Sequence, residues 1–307
     1  MAKIIFLIII GLGVFFIGLH LVEIGLKRGV GHRLKRILEL FTSNILLAII
    51  TGTLVTALIQ SSSAVSVMVI GLVSGGVMTL YQGMGVIIGS NIGTTMTIHI
   101  LSFKVKYIEV IFLIIGLLFI IYSKLKKRTH MSYGGVVIFG FGVIFTGLSI
   151  LQLALSPLKY SPMVMKYLTE FSNQPLLATL AGLGVTALIQ SSSATSGIAL
   201  TLTNQGILGL RGAVGIIMGS NIGTCVTALL AAIKSSQLAR KVACFHIIFN
   251  FFGVIIFLPF LDNFIGLISR FGQNPGRLLA VAHTCFNLAT AILILPFVKP
   301  LEKLLRK

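Results

Sequence analysis

Apolar residues occur in long runs that are separated by short polar or basic segments. A run of roughly 18 or more apolar residues can cross the hydrocarbon core of a bilayer as a helix. Residues 4–26 and 79–103 exceed this length, 107–123 is within one residue of it, and similar runs return in the second half of the chain. The pattern therefore predicts an all-α polytopic membrane protein.

Two shorter stretches have an amphipathic helical pattern. In 31–41, "GHRLKRILELF", Leu34, Ile37, Leu38 and Phe41 share one helical face and the charged residues share the other. An apolar face opposite a basic face is typical of a helix that lies in the membrane interface. The sequence predicts such a helix here and a counterpart at 161–171.

The segment 44–75 is apolar but carries the polar letters "QSSS" at its centre, at 60–63. A helix over 44–59 would be about 24 Å long and one over 64–75 about 18 Å, so neither spans a core of about 30 Å. Irregular backbone at membrane depth is tolerated inside protein or beside a water-filled cavity. The segment is predicted to be a re-entrant helical hairpin with QSSS at its tip. The span 79–103 contains "GSNIGTT", which predicts a discontinuous helix.

Both motifs occur twice, and the spacing between them is the same in the two copies. QSSS stands at 60–63 and again at 190–193, and GSNIGT stands at 89–94 and again at 219–224. The chain is therefore predicted to hold two units, 1–129 and 130–260, each with a re-entrant hairpin and a discontinuous helix, followed by a C-terminal transmembrane helix and tail at 261–307. Because each unit crosses the membrane an odd number of times, the two units should have inverted topology, a pattern typical of secondary transporters.

The basic residues indicate how the chain is oriented. The net charge is +18 although charged residues make up 10% of the chain, and the basic residues cluster between apolar runs. This arrangement follows the positive-inside rule and shows no basic face for nucleic acid. With the N-terminus outside and the C-terminus in the cytoplasm across seven crossings, 16 of the 24 Lys and Arg residues fall on the cytoplasmic side. The two hairpins would then enter the membrane from opposite sides, so that their tips can meet near the midplane.

The repeated motifs supply hydroxyls, amides and helix ends, and they contain no Asp or Glu. Half-helices that begin at the serines would direct N–H groups and a positive dipole end at an anion, which predicts an oxyanion site. The predicted anion ligands are Ser61, Ser62, Ser63, Ser191, Ser192 and Ser193. Neutral side-chain oxygens suit Na⁺ better than Ca²⁺ or Mg²⁺. The predicted sodium ligands are Gln60, Asn91, Thr94, Thr97, Gln190, Asn221, Thr224 and Thr227.

Two copies of "QSSSA" with two copies of "GSNIGT" resemble the type II sodium-dependent phosphate cotransporter family, in its short bacterial form. The resemblance implies sodium-coupled import of inorganic phosphate by alternating access, with Na⁺ as the co-transported ion and no organic cofactor. It implies residence in a bacterial cytoplasmic membrane, and sites at Gln60–Ser63, Gln190–Ser193, Thr94, Thr97, Thr224 and Thr227. Many bacterial relatives carry a cytosolic helical regulatory domain after the membrane part. No such domain is expected within residues 1–307.

Three alternatives remain open at this stage. A transporter of arsenate or sulfate would need similar donors, although the mixed donors and acceptors of Gln and Ser favour phosphate. An ion channel would need a continuous pore, and an intramembrane serine hydrolase would need a base near its serine. The last is disfavoured, so the chain is not expected to be an enzyme.

Two late spans carry a histidine and an asparagine one helical turn apart. The pairs are His246 with Asn250 and His283 with Asn287. Polar side chains inside membranes commonly form hydrogen bonds between helices. We interpret the pairs as interhelical contacts in preference to lining of the site.

Overall fold

The computed structural model describes residues 2–103, 106–127 and 129–306, which fold into α-helices with two short 3-10 turns and no strand. Three of the basic residues counted above, Lys104, Arg128 and Lys307, lie outside the described residues. The helices are α1 (Ala2–Leu40), α2 (Ile45–Ile59), α3 (Ser62–Ser74), α4 (Leu80–Gly93), α5 (Thr95–Ser102), α6 (Ile108–Leu125), α7 (Thr129–Leu155), α8 (Pro162–Ser172), α9 (Pro175–Ile189), α10 (Ser192–Asn204), α11 (Leu210–Ala232), α12 (Gln237–Phe257), α13 (Leu261–Ile268) and α14 (Pro275–Arg306).

Within the described ranges, seven segments are long and apolar enough to cross a membrane. They coincide with α1, α4 together with α5, α6, α7, α11, α12 and α14. The two segments that contain GSNIGT are the most buried of the seven, whereas α6 is mostly exposed at the periphery. The seven candidate crossings agree with the number expected from the sequence.

The first helices of the two units, α1 and α7, pack against each other along their length in antiparallel directions. A Cβ atom at Gly18 would lie 2.5 Å from the backbone nitrogen of Ile144, and one at Gly147 would lie 2.5 Å from that of Phe15. Both glycines belong to the repeated sequences "GLGVFFIGL" and "GFGVIFTGL". Small residues let helix backbones approach closely in membranes, so these glycines allow the close contact between α1 and α7.

Each short hairpin packs against the GSNIGT helix of its own unit. Helix α2 lies along α4, and α9 lies along α11 in the same way. A Cβ at Gly89 would lie 2.0 Å from the carbonyl oxygen of Ile49, and one at Gly219 would lie 1.8 Å from that of Thr179. The two units therefore use the same glycine-mediated contact at equivalent positions of the repeat.

The hairpins also end in the same way. After α3 the chain turns through Gly76 at φ +73°, and after α10 it turns through Gly206 at φ +70°. In each turn one helix carbonyl oxygen, that of Leu72 or of Leu202, accepts hydrogen bonds from two backbone amides later in the chain. Such left-handed glycine turns are common helix C-terminal motifs. The equal lengths of corresponding helices in the two hairpins support the predicted internal repeat.

The predicted interfacial helix at 31–41 is wrong as a separate element, because α1 continues without a break from Ala2 to Leu40. Its counterpart is separate: α7 ends at Leu155, a 3-10 turn follows, and α8 covers Pro162–Ser172. The difference has a local cause. Pro157 and Pro162 stop helix propagation in the second unit, whereas residues 27–40 contain no proline.

The predicted discontinuous helices are confirmed in part for the first unit and are wrong for the second. Helix α4 ends at Gly93 and α5 begins at Thr95, but α11 runs through its motif without interruption. The Thr95 hydroxyl donates to the carbonyl oxygen of Ile92 at 2.8 Å, three residues back, and such bonds compete with the helical ladder. At the equivalent position of α11, the Cys225 thiol donates a weak bond to the carbonyl oxygen of Asn221 at 3.7 Å, four residues back.

Candidate functional site

The two QSSS tips have nearly identical backbone geometry. Gln60 (φ 59°, ψ 24°) and Gln190 (φ 58°, ψ 26°) both adopt the left-handed conformation that ends the first helix of the hairpin. This conformation is uncommon outside glycine and is often found at functional sites. Ser61 and Ser191 then cap the second helix, since each side-chain oxygen accepts from the amide of Ala64 or Ala194 at 3.3 and 3.2 Å.

The tips meet in one small cavity. The Ser63 hydroxyl donates to the carbonyl oxygen of Gln190 at 3.5 Å, and this bond joins the two tips through residues 127 apart in sequence. A cavity of about 120 Å³, here called the serine cavity, is lined by both tips and by one face of α1; its lining residues are Leu19, Val22, Glu23, Ile59, Gln60, Ser61, Ser62, Ser63, Gln190, Ser191, Ser192 and Ser193. The structure thus brings all six predicted anion ligands together.

The serine cavity carries the features of an anion site. Ser62 and Ser192 are the first residues of α3 and α10, and they are 7% and 4% exposed. First-turn amides lack partners inside a helix, and the helix dipole adds a partial positive charge at this end. Two such ends converge on one cavity, so the arrangement can hold a tetrahedral oxyanion with neutral donors from both tips.

The GSNIGT motifs lie directly behind the tips. A Cβ at Gly93 would lie 2.8 Å from the Cβ of Thr56, and one at Gly223 would lie 2.7 Å from that of Thr186. Both threonines stand one turn before the tip glutamine. The backbone contact holds each motif against its own tip and leaves no space for a larger residue than glycine.

The two motif asparagines, predicted to bind sodium, contact the histidine–asparagine pairs through their amide nitrogens. Asn91 Nδ2 lies 3.4 Å from His246 Nε2 on α12, and Asn221 Nδ2 donates to Asn287 Oδ1 on α14 at 2.7 Å. All four side chains are at most 5% exposed. The contacts connect each motif to a later helix, in agreement with the interhelical interpretation of these pairs. The amide nitrogens of Asn91 and Asn221 thus contribute to helix packing.

Several other predicted sodium ligands have buried oxygens without a hydrogen-bond partner. Among the described residues these include Gln60 Oε1, Thr94 Oγ1, Thr97 Oγ1 and Thr227 Oγ1. A buried polar oxygen that stays unpaired costs about 1–3 kcal/mol, so it calls for a ligand such as water or an ion. The remaining two differ: Thr224 Oγ1 donates to the carbonyl oxygen of Ser220 at 2.9 Å, and Gln190 is exposed.

Glu23 is the site residue that the motifs did not reveal. It lies on α1, lines the serine cavity and forms an ion pair with Lys27 at 2.7 Å. Glu23 also lines a neighbouring space of about 570 Å³, here called the basic vestibule, together with Lys27, Lys35, Ser63 and Thr227. The sequence signal was an isolated carboxylate near the end of the first apolar run, one turn before a lysine.

Comparisons with known proteins identify the family of this chain. The family model described as Na+/Pi-cotransporter matches residues 8–153 and 159–269. The Bacillus subtilis protein YqeW, of uncharacterised function, is 36% identical over 92% of this chain and 91% of its own length. The Escherichia coli protein YjbB, provisionally named an inorganic phosphate export protein, is 27% identical over 93% of this chain, which spans 52% of that protein.

A mammalian relative matches a shorter part of the chain. The human sodium-dependent phosphate transport protein 2C is 38% identical over 39% of this chain and 21% of its own length. No solved structure gives a significant match. Because the family model covers most of the residues, and covers both serine tips and both GSNIGT motifs, this chain belongs to the Na+/Pi-cotransporter family.

Proposed function

We propose that this chain is a sodium-coupled phosphate transporter that works by alternating access and imports phosphate across the cytoplasmic membrane of a bacterium. The observation that carries the proposal is the convergence of both serine tips on one cavity at Ser63 and Gln190. Duplicated hairpins that meet at a central site are typical of transporters with inverted repeats. The hairpins are taken to be re-entrant because α2 and α3 are too short to span.

Sodium is proposed to bind the side-chain oxygens that have no protein partner. The Thr97 and Thr227 hydroxyls follow the two GSNIGT motifs, and Gln60 belongs to the first tip. Neutral oxygens are ligands that transporters commonly use for Na⁺. A cation beside the serine cavity would also offset part of the charge of the bound oxyanion, which couples the two binding events.

The described conformation supports an opening toward the cytoplasm. The basic vestibule reaches Ser63 of the first tip and is lined by Lys27 and Lys35 near the end of α1. With the N-terminus outside, these lysines lie on the cytoplasmic side. Positive charges in a cleft raise the local concentration of anions, so the vestibule suits the release and capture of phosphate.

Transport by purified protein in proteoliposomes tests the proposal. Vesicles that contain potassium and face external sodium should accumulate labelled phosphate above the external concentration, and an outward sodium gradient should drive efflux. Uptake that stays the same after sodium is replaced by potassium or choline would contradict sodium coupling. Absence of any phosphate flux from well-reconstituted protein would contradict the function itself.

Removal of a single unpaired oxygen should weaken sodium activation. Thr97→Val and Thr227→Val each delete a hydroxyl while they keep the side-chain shape. Because a bond to a charged group contributes about 1.5–3 kcal/mol, the sodium concentration for half-maximal uptake should rise about tenfold or more. The measurement is the sodium dependence of phosphate uptake at saturating phosphate.

Thr203→Val provides the matched control for the sodium experiment. Its hydroxyl is buried and donates to the carbonyl oxygen of Ala199 at 2.8 Å, away from the tips. This variant should keep the wild-type sodium dependence. If Thr97→Val and Thr227→Val also keep it, the cation binds elsewhere.

A further inference from the structure

The serine cavity has one acidic wall. Among its described lining residues, Glu23 is the acidic one, and the other polar residues are the neutral glutamines and serines of the two tips. The carboxylate is therefore placed where a bound oxyanion would lie, although a negative charge alone would repel that anion. Its presence needs a chemical reason that the motif residues do not supply.

The backbone at Glu23 is held by helix packing. The preceding residue Val22 is 2% exposed, and a Cβ at Gly140 of α7 would lie 2.9 Å from its backbone nitrogen. The Glu23 carboxylate bonds to Lys27 Nζ at 2.7 Å, one turn further along α1. The side chains of Glu23 and Lys27 are 36% and 51% exposed, so the pair borders both the serine cavity and the basic vestibule.

The second unit lacks an acidic counterpart. When "GLGVFFIGL" at 11–19 of α1 is aligned with "GFGVIFTGL" at 140–148 of α7, Glu23 corresponds to Gln152. Gln152 lines a different cavity of about 460 Å³, beside Ser149 and Asn204. The serine cavity therefore has a carboxylate from α1 and no equivalent carboxylate from α7. The natural residue at the equivalent position of α7 is glutamine.

Protonated and fully ionised oxyanions differ in what they can do at such a wall. Phosphate at neutral pH keeps at least one P–O–H group, whereas sulfate has only acceptor oxygens. Serine hydroxyls and helix amides donate to the ionised oxygens of either anion. A carboxylate accepts a hydrogen bond from a P–O–H group. It cannot form a hydrogen bond with an ionised oxygen, because both groups are acceptors, and the two negative charges repel each other.

We propose that Glu23 is the specificity-determining residue of the serine cavity, where its carboxylate accepts a hydrogen bond from a protonated oxygen of the substrate. The site then takes tetrahedral oxyanions that carry an O–H group, namely phosphate and arsenate, and rejects fully ionised ones such as sulfate. This inference rests on the proposed function, because it assigns the substrate class of the same site.

Competition against labelled phosphate uptake tests the inference, with sulfate and monofluorophosphate as probes. Monofluorophosphate has the shape and the charge of the hydrogen phosphate dianion, but fluorine replaces its O–H group. Both probes should compete with wild-type uptake at least about tenfold less well than unlabelled phosphate does, since a site built to bond a hydroxyl rejects analogues that lack it. In Glu23→Gln the amide can donate, so this difference should shrink to about threefold or less.

Lys27→Gln and Glu23→Asp separate charge from acceptor chemistry. Lys27→Gln also breaks the ion pair but keeps the carboxylate, so it should retain the discrimination. Glu23→Asp keeps an acceptor and should retain most of it, which gives a second result if Glu23→Gln inserts poorly. An unchanged ratio of competition in well-inserted Glu23→Gln would overturn the inference while phosphate transport itself persists. A wild-type protein that moves no phosphate would overturn the proposed function, and the inference with it.

Discussion

Replacement of Ser192 by aspartate should abolish phosphate transport, whereas replacement by alanine should only weaken it. Ser192 is 4% exposed at the first position of α10 and lines the serine cavity. Alanine removes one hydroxyl, which in a bond to a charged group contributes about 1.5–3 kcal/mol. Aspartate adds a like charge a few ångströms from the anion, where water screens poorly and the repulsion is larger.

The same order should hold at the first tip. Ser62 is 7% exposed and has the equivalent position on α3, so Ser62→Asp should be far worse than Ser62→Ala. Uptake must be normalised to the protein in the membrane, because a buried charge also hinders insertion. A useful control is Ser74→Asp at the far end of α3, where the side chain is exposed and outside the serine cavity. If inserted Ser62→Asp and Ser192→Asp proteins transport phosphate like their alanine counterparts, the tips are packing elements and not the anion site.

Replacement of Gly182 by alanine should disrupt the second hairpin. A Cβ at this position of α9 would lie 2.1 Å from the carbonyl oxygen of Ile216 on α11, and a backbone atom cannot move aside as a flexible side chain can. Overpacking in a tight contact typically costs about 1–3 kcal/mol, and here it would also shift the tip at the end of α9. We expect a lower midpoint of thermal unfolding in detergent and loss of phosphate uptake.

Gly184 lies two residues further along the same helix and provides the matched control. A Cβ there would have no heavy atom within 4 Å, so Gly184→Ala should fold normally. Alanine also favours the helix over glycine by roughly 1 kcal/mol, which should keep or raise the unfolding midpoint. Equal stability and uptake of the two variants would show that α9 and α11 are not packed as closely as described.

The hairpins could be predicted from the sequence because their signals are local. Segments too short to span, a polar QSSS centre at 60–63 and its return at 190–193 indicate two equivalent turns without any knowledge of packing. The structure places helix ends at Ile59 and Ile189 and helix starts at Ser62 and Ser192. That the two tips share a cavity was an expectation of the inverted-repeat hypothesis, and the contact of Ser63 with Gln190 agrees with it.

Other features depend on contacts that a single sequence does not reveal. The role of Asn221 follows from its bond to Asn287, 66 residues later, and an isolated motif gives no sign of that partner. Glu23 enters the site because the packing of α1 against α7 turns its side chain toward the tips. Helix α11 is continuous because the Cys225 side chain competes only weakly with the backbone hydrogen bonds of the helix. The similarity of the two GSNIGT motifs does not reveal this difference from Thr95.

The shared anion site is tested most directly by a crystal structure with arsenate in place of phosphate, since the anomalous scattering of arsenic locates the bound ion. Arsenate has the same tetrahedral shape and keeps an O–H group. We expect one arsenic position in the serine cavity, within hydrogen-bonding reach of the first turns of both α3 and α10 and beside Glu23. An arsenic position that contacts one tip alone, or that lies only among the lysines of the basic vestibule, would contradict a site built from both repeats.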